Sequence, residues 1–117
     1  MDKNDGKESN IMKIRQLCKK IFSRSIKSDL SYEEAVEIIN RERVFIIDVR
    51  TPEEYNKRHF KNAINVPVYN IEKINELIKD KDEIILIYCK VGQRSEMAKQ
   101  ILLQNGYRNV YTFDAKM

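Results

Sequence analysis

The stretch that decides the fold is IILIYCKVGQRS, residues 84–95. It begins with an apolar run rich in β-branched residues, which is typical of a strand buried on both faces of a parallel sheet. The run ends at Cys89, and a helical pattern opens at Ser95. The segment therefore predicts a strand, a tight loop and a helix, with a thiol at the base of the loop.

The predicted loop places the thiol of Cys89 at a helix N-terminus. Unpaired backbone N–H groups and the positive end of the helix dipole converge there, and both favour a thiolate. The thiolate is the nucleophilic form of cysteine, whereas a buried structural cysteine is inert. We therefore predict that Cys89 is a nucleophile in sulfur or phosphate chemistry.

The loop length helps to choose between sulfur and phosphate. Cys89 and Arg94 enclose four residues, whereas the loop of cysteine-dependent phosphatases is one residue longer and wraps a whole phosphate group. A shorter loop suits a smaller group, such as the terminal sulfur of a persulfide. The interval favours sulfur transfer over the alternative of a phosphatase or an arsenate reductase.

Four sequence motifs, in order along about residues 31–112, resemble the single-domain rhodaneses, or thiosulfate sulfurtransferases. The motifs are DVRTPEEY at 48–55, HFKNAINVP at 59–67, CKVGQRS at 89–95 and NGYRNVY at 105–111. The resemblance implies an α/β, three-layer fold with a central, mostly parallel sheet and helices on both faces. The alternation of predicted strands and helices independently favours that architecture.

The chain departs from the family pattern at three places. Lys90 stands where an arginine is common, and Asn62 stands where a glycine is usual. Residues 112–117 read TFDAKM, in place of a Gly-Gly turn and a short helix bearing a tryptophan. The C-terminal part of the fold is therefore expected to be truncated.

The resemblance also implies an activity and a set of site residues. A sulfurtransferase would move a sulfane sulfur from thiosulfate, or another small anionic donor, to a thiol or protein acceptor through a persulfide on Cys89. The alternative is a non-enzymatic sulfur carrier or binding module of the same fold. Asp48 and Arg50 are expected to support the site, Ser95 to cap the helix, and His59 to be structural, because a thiolate needs no general base. The predicted donor-binding residues are Lys90, Val91, Gly92, Gln93, Arg94 and Ser95.

Length and composition fit one domain that needs no metal or cofactor. The chain has 117 residues, 42% of them hydrophobic and 34% charged. Two cysteines are too few for a disulfide framework, and Cys18 is expected to be a small apolar residue rather than a resolving thiol. With one histidine, a structural zinc site is not expected. No apolar run has the length of a membrane span and no signal peptide is recognised, so a cytoplasmic location is expected.

The positive charge lies in the first part of the chain. Residues 1–28 carry eight basic and three acidic residues, whereas residues 29–117 carry fourteen and fifteen. The domain, predicted over 29–117, is therefore not expected to bind nucleic acid. Residues 1–10 are predicted to be a disordered tail, and 11–28 a basic amphipathic leader helix. The apolar face of residues 11–25 would pack on the domain or, alternatively, make peripheral contact with an anionic membrane.

Overall fold

The fold alternates strands and helices along the chain. A computed structural model describes residues 27–117. The predicted tail, Cys18 and residues 11–26 of the leader helix predicted over 11–28 lie outside these residues. Lys27 and Ser28, the last two residues of that prediction, are not helical. The elements are α1 (Tyr32–Arg41), β1 (Val44–Asp48), α2 (Pro52–Lys57), β2 (Ile64–Asn65), a 3-10 helix (Val68–Lys73), α3 (Ile74–Leu77), β3 (Ile84–Tyr88), α4 (Gln93–Gln104) and β4 (Asn109–Thr112).

The strands form one four-stranded parallel sheet in the order β2-β1-β3-β4. Strand β3 lies in the interior of the sheet, as its continuous apolar run predicts. Asp48 at the end of β1 pairs with Tyr88 at the end of β3. The segments that follow these two strands therefore meet at the same edge of the sheet, where parallel α/β folds gather their sites.

Helices cover both faces of the sheet, so the predicted three-layer α/β fold is confirmed. Side chains alternate along β3, with Ile85 and Ile87 in one core and Leu86 and Tyr88 in the other. The first core is closed by the 3-10 helix, α3 and α4, and the second by α1 and the residues after β4. Each fully buried large side chain contributes roughly 1.5–3 kcal/mol to folding.

The sequences SYEE at 31–34 and TPEE at 51–54 predict capping boxes, and both are present at the starts of α1 and α2. The side chain of Ser31 accepts from the N–H of Glu34, whose carboxylate accepts from the N–H of Ser31. Thr51 and Glu54 make the same reciprocal pair at α2. Because α2 has only six residues, its cap supplies much of its local stability.

The spacing of four apolar residues after β2 predicts a regular helix, and the structure differs from that prediction. The four residues are Ile71, Ile74, Leu77 and Ile78. A 3-10 helix occupies 68–73 and α3 is a single turn, with non-helical angles at Asn70 (φ −119°) between turns. The tighter 3-10 winding of three residues per turn shifts the apolar face. Leu77 is consequently 52% exposed, whereas the other three side chains are buried.

The outer strands also differ from their predicted limits. The apolar residues before Pro67 predict a short strand over 63–66, whereas β2 is shorter and spans Ile64–Asn65. The last strand is predicted over 110–113, whereas β4 spans Asn109–Thr112. Phe113, just after it, forms a parallel bridge with Leu30. No helix in the described part of the chain is long and apolar enough to cross a membrane.

Candidate active site

The loop after β3 turns into α4 at Gly92. Gly92 has φ +90°, a backbone conformation that residues with a side chain rarely adopt, and it is the N-cap of α4. The prediction that Ser95 is the N-cap is wrong, because the left-handed glycine starts the helix earlier. Ser95 lies inside the first turn, where its hydroxyl donates to the carbonyl oxygen of Gly92 at 3.1 Å.

The sulfur of Cys89 lies beneath this turn and accepts two backbone hydrogen bonds. The N–H of Gly92 is 3.1 Å from Sγ, and the N–H of Ser95 is 3.3 Å from it. The hydroxyl oxygen of Ser95 is 3.4 Å away. Cys89 is 6% exposed, so these donors act with little competition from water. Backbone N–H groups held in this way stabilise negative charge on the sulfur without rearrangement.

Arg94 forms a bidentate ion pair with Glu54 of α2. Its two terminal nitrogens donate to Oε1 at 2.6 Å and to Oε2 at 3.1 Å. The hydrogen bond from Arg94 is the main cause that lowers the pKa of Glu54 to about 2, and the same bond raises the pKa of Arg94. The pair ties the first turn of α4 to α2. It therefore holds the helix end of the loop that runs from β3 to α4.

A buried network joins the ends of β1 and β3. Arg50 donates to Asp48 Oδ2 at 2.7 Å and to the carbonyl of Arg58 at 2.5 Å. Tyr88 donates to the same oxygen of Asp48 at 2.6 Å and accepts from the N–H of Phe60 at 2.8 Å. Burial and the bond to Asp48 raise the pKa of the Tyr88 hydroxyl. The network holds the end of β3, directly before Cys89 and the loop.

A cavity of about 370 Å³ opens beside the loop. It brings together the nucleophile, the exposed tip of the loop and residues from both ends of the described chain. Val91, at the tip, is 60% exposed. The lining residues are Lys27, Ser28, Ser31, Cys89, Lys90, Val91, Gly92, Phe113 and Asp114.

A family match covers the loop, the network and both capping boxes. The sequence model of the rhodanese-like domain matches residues 31–115. This chain belongs to the rhodanese-like domain family. The resemblance noted from the four motifs is thereby confirmed, as is the fold it implied.

Individual relatives of this rhodanese-like domain carry two different activities in their names. It is 42% identical over 65 residues to thiosulfate sulfurtransferase PspE of Escherichia coli (strain K12), a match that covers 55% of this chain and 62% of that protein. It is 34% identical over 87 residues to tRNA uridine(34) hydroxylase of Photorhabdus laumondii subsp. laumondii, covering 70% of this chain and 25% of that protein. The chain spans less than two thirds of the length of either relative.

A solved rhodanese from E. coli, described with anions, has the same fold. It is 38% identical to this chain, with a TM-score of 0.57, over 62% of this chain and 85% of that one.

The predicted site residues of this rhodanese-like domain fall into two groups. Lys90, Val91 and Gly92 line the cavity with Cys89. Arg94 faces Glu54, and the hydroxyl and N–H of Ser95 face the loop and the sulfur. Gln93 begins α4. The donor-binding role of all six residues stays a prediction.

Asp48, Arg50 and His59 are not among the residues that line the cavity, and the roles predicted for them stay predictions. Asp48 and Arg50 lie in the network that joins the ends of β1 and β3. His59 stacks on Tyr55, with ring centroids 3.8 Å apart, and its Nδ1 is 2.9 Å from the carbonyl oxygen of Tyr55. Within residues 27–117, no group of three or more potential ligands is placed to hold a metal ion.

Sequence reasoning missed the contribution of Glu54 and Tyr88 to the site. Glu54 was visible as the third residue of a capping box, and Tyr88 as the last apolar residue of β3. Their partners, Arg94 and Asp48, lie 40 residues away in each case. Pairings of that separation carry no local signal in a single sequence.

Proposed function

We propose that this rhodanese-like domain is a sulfurtransferase that moves a sulfane sulfur from thiosulfate, or a related anionic donor, to a thiophilic acceptor. Cys89 carries the sulfur between the two as a persulfide. The observation that supports this most directly is the pair of backbone N–H groups, from Gly92 and Ser95, that point at the sulfur of Cys89. The name of the PspE relative agrees with the proposal.

In the first step the thiolate of Cys89 attacks the outer sulfur of thiosulfate. A sulfur–sulfur bond forms to Cys89 as the bond inside thiosulfate breaks, and sulfite leaves with the electron pair. Three negative charges enter the step and three leave it, so no proton or external oxidant is required. The loop N–H groups stabilise the thiolate before the step and the terminal persulfide anion after it.

In the second step an acceptor removes the outer sulfur. Cyanide, as a model acceptor, attacks the terminal sulfur and leaves as thiocyanate, which restores the thiolate of Cys89. A thiol acceptor would leave as its own persulfide. Both steps exchange one nucleophile for another at divalent sulfur, which explains why His59 is not needed as a base.

The structure of the loop argues for a small transferred group rather than phosphate. The Arg94–Glu54 ion pair ties the helix end of the loop to α2. With four residues between Cys89 and Arg94, and with Arg94 held by Glu54, the loop has little freedom to open around a phosphate group. The phosphatase alternative is therefore disfavoured.

The test is the intact mass of the full chain after treatment with thiosulfate. We expect the added mass of one sulfur atom, its removal by cyanide, and continued formation of thiocyanate when both reagents are present. Cys89→Ala should abolish the added mass, whereas Cys18→Ala should retain it. Loading without turnover would point instead to the sulfur-carrier alternative, and sulfur retained in Cys89→Ala would refute the mechanism.

A further inference from the structure

The segment just ahead of α1, Asp29 and Leu30, is hydrogen-bonded to the outer edge of β4. The N–H of Asp29 donates to the hydroxyl of Thr112 at 2.9 Å, and the carboxylate of Asp29 accepts from the N–H of Thr112 at 3.0 Å. Leu30 continues the pairing, accepting from the N–H of Asp114 at 3.1 Å. Lys99 of α4 adds an ion pair to Asp29 at 2.6 Å. These bonds tie the segment to β4, to Asp114 just after β4, and to α4.

The pairing of Asp29 and Leu30 with β4 places Lys27 at the cavity. Lys27 lies two residues before Asp29 and lines the cavity that contains Cys89. The family match begins at residue 31, so Lys27 lies ahead of the residues that the family model matches.

Two arginines near the site are already paired with carboxylates. Arg94 is bound to Glu54 at 2.6 Å, and Arg50 to Asp48 at 2.7 Å. Among the cavity-lining residues, the two cations are Lys27 and Lys90. Within residues 27–117 neither of these lysines makes a hydrogen bond or an ion pair.

The cavity mouth also carries one acidic residue. Asp114 lines it, and its Oδ1 accepts from the N–H of Lys116. With two lysines and one carboxylate among its lining residues, the cavity has a net positive charge. A positive cleft with partly apolar walls concentrates anions near its nucleophile.

We propose that Lys27 is a positioning residue for the sulfur donor, and that with Lys90 it makes the site favour donors with two negative charges over donors with one. This inference rests on the proposed sulfurtransferase activity. Because Lys27 acts on the arriving anion rather than on the bond that breaks, it affects capture of the donor. Its removal should raise KM for a dianionic donor and leave kcat nearly unchanged.

The first test measures the potential at Cys89 and needs no sulfur transfer. In a Cys18→Ala background, the rate of alkylation by anionic iodoacetate is divided by the rate with neutral iodoacetamide. Lys27→Gln should lower this ratio about 3- to 5-fold, the effect of removing one nearby charge in a partly solvated site. Lys27→Arg should preserve the ratio, and about 1 M salt should suppress the difference between variants.

Lys79→Gln is the matched control, since it changes the net charge equally. Lys79 is exposed and precedes β3, at the end of the sheet opposite the loop. It should leave the alkylation ratio unchanged. Equal ratios for Lys27→Gln and the parent protein would overturn the proposal, as would an equal loss in Lys79→Gln.

The second test compares kcat/KM for thiosulfate, a dianion, with that for a monoanionic alkyl thiosulfonate. Lys27→Gln should lose about 3- to 10-fold with thiosulfate through KM, and less with the thiosulfonate. Equal losses with both donors, or a loss confined to kcat, would refute the positioning role. Absence of sulfur transfer in the parent protein would refute the proposed function instead, while the alkylation ratio would still decide the role of Lys27.

Discussion

The sulfur of Cys89 is held by backbone N–H groups, and one of them belongs to Gly92, a residue without a side chain. Gly92 donates its N–H to the sulfur because its φ of +90° turns the peptide toward the base of the loop. Any residue with a Cβ is strained in that conformation. The chemistry of the thiol and the local strain of the loop are therefore coupled at one position.

At the residue scale, Gly92→Ala should slow persulfide formation about tenfold, because relief of the strain rotates one N–H away from the sulfur. It should also cost about 1–2 kcal/mol of folding free energy. Single-turnover loading with thiosulfate and urea unfolding measure the two effects.

Gly106→Ala is the control, since Gly106 has φ +97° at the other end of α4 and open space around an added Cβ. It should show the stability loss without the kinetic loss. A normal loading rate in Gly92→Ala would contradict the role of its N–H.

At the scale of elements, helices α2 and α4 are joined through a single ion pair. Glu54 caps its own helix and also binds Arg94. Its pKa falls from an ordinary 4.5 to about 2 in the folded protein, chiefly through Arg94. A carboxylate with a lowered folded-state pKa stabilises the fold above its unfolded pKa, and this stabilisation is lost as the pH falls from about 4.5 to about 2.

Glu54→Gln should therefore destabilise the protein at pH 7 by about 1–2 kcal/mol, a figure reduced for the partial exposure of the pair. The difference between variant and parent should shrink as the pH is lowered through the same window. Urea unfolding at a series of pH values measures it. A difference that stays constant down to pH 2.5 would show that the charge of Glu54 is not the cause.

The ends of β1 and β3 are joined by a second cross-element contact, the Tyr88 hydroxyl. Tyr88→Phe leaves Asp48 and the N–H of Phe60 short of a buried partner, which should cost about 1–3 kcal/mol. It should also slow persulfide loading, because the network holds the end of β3 next to Cys89.

Tyr107→Phe provides the matched control. The hydroxyl of Tyr107 is equally buried and donates to the carbonyl oxygens of Ile74 and Ile78, away from the loop. It should lose comparable stability with normal loading. Equal rates of persulfide loading in Tyr88→Phe and Tyr107→Phe would show that the network does not affect the reactivity of Cys89.

At the scale of the whole molecule, the sequence predicted what is local or periodic. The apolar run of β3, both capping boxes and the glycine that ends α4 are local patterns, and the alternation of elements gave the parallel sheet. The position of the Cys89 thiol at the base of the loop was predicted from the same patterns. The 3-10 segment was missed because its winding depends on packing, which moved Leu77 to the surface.

The rest of the site depends on pairings between distant parts of the chain. Arg94 and Glu54 meet only after the sheet is assembled. Lys27 reaches the cavity because Asp29 and Leu30 bind β4 more than 80 residues later, at separations of 83 for the Asp29 bonds. A single sequence carries no periodic signal for such contacts, so the second lysine of the cavity mouth could not be predicted.

The two cores share one sheet, so the molecule should unfold as a unit. Phe113 lies in one core, with its ring 5.3 Å from Phe60 and 5.4 Å from Tyr88. Leu102 lies fully buried in the other. Phe113→Ala should cost about 3–5 kcal/mol and Leu102→Ala about 2–5 kcal/mol, large fractions of a typical domain stability.

Each variant should nevertheless unfold in a single transition, with coincident curves from tyrosine fluorescence and far-ultraviolet circular dichroism. Because the strands carry side chains into both cores, a loss of stability on one face of the sheet also destabilises the other face. Because Phe113 lines the cavity and Leu102 does not, Phe113→Ala should also slow persulfide loading under conditions where both variants are folded. Two separate transitions in Phe113→Ala would show that the face bearing α1 melts independently, and that the sheet does not couple its two layers.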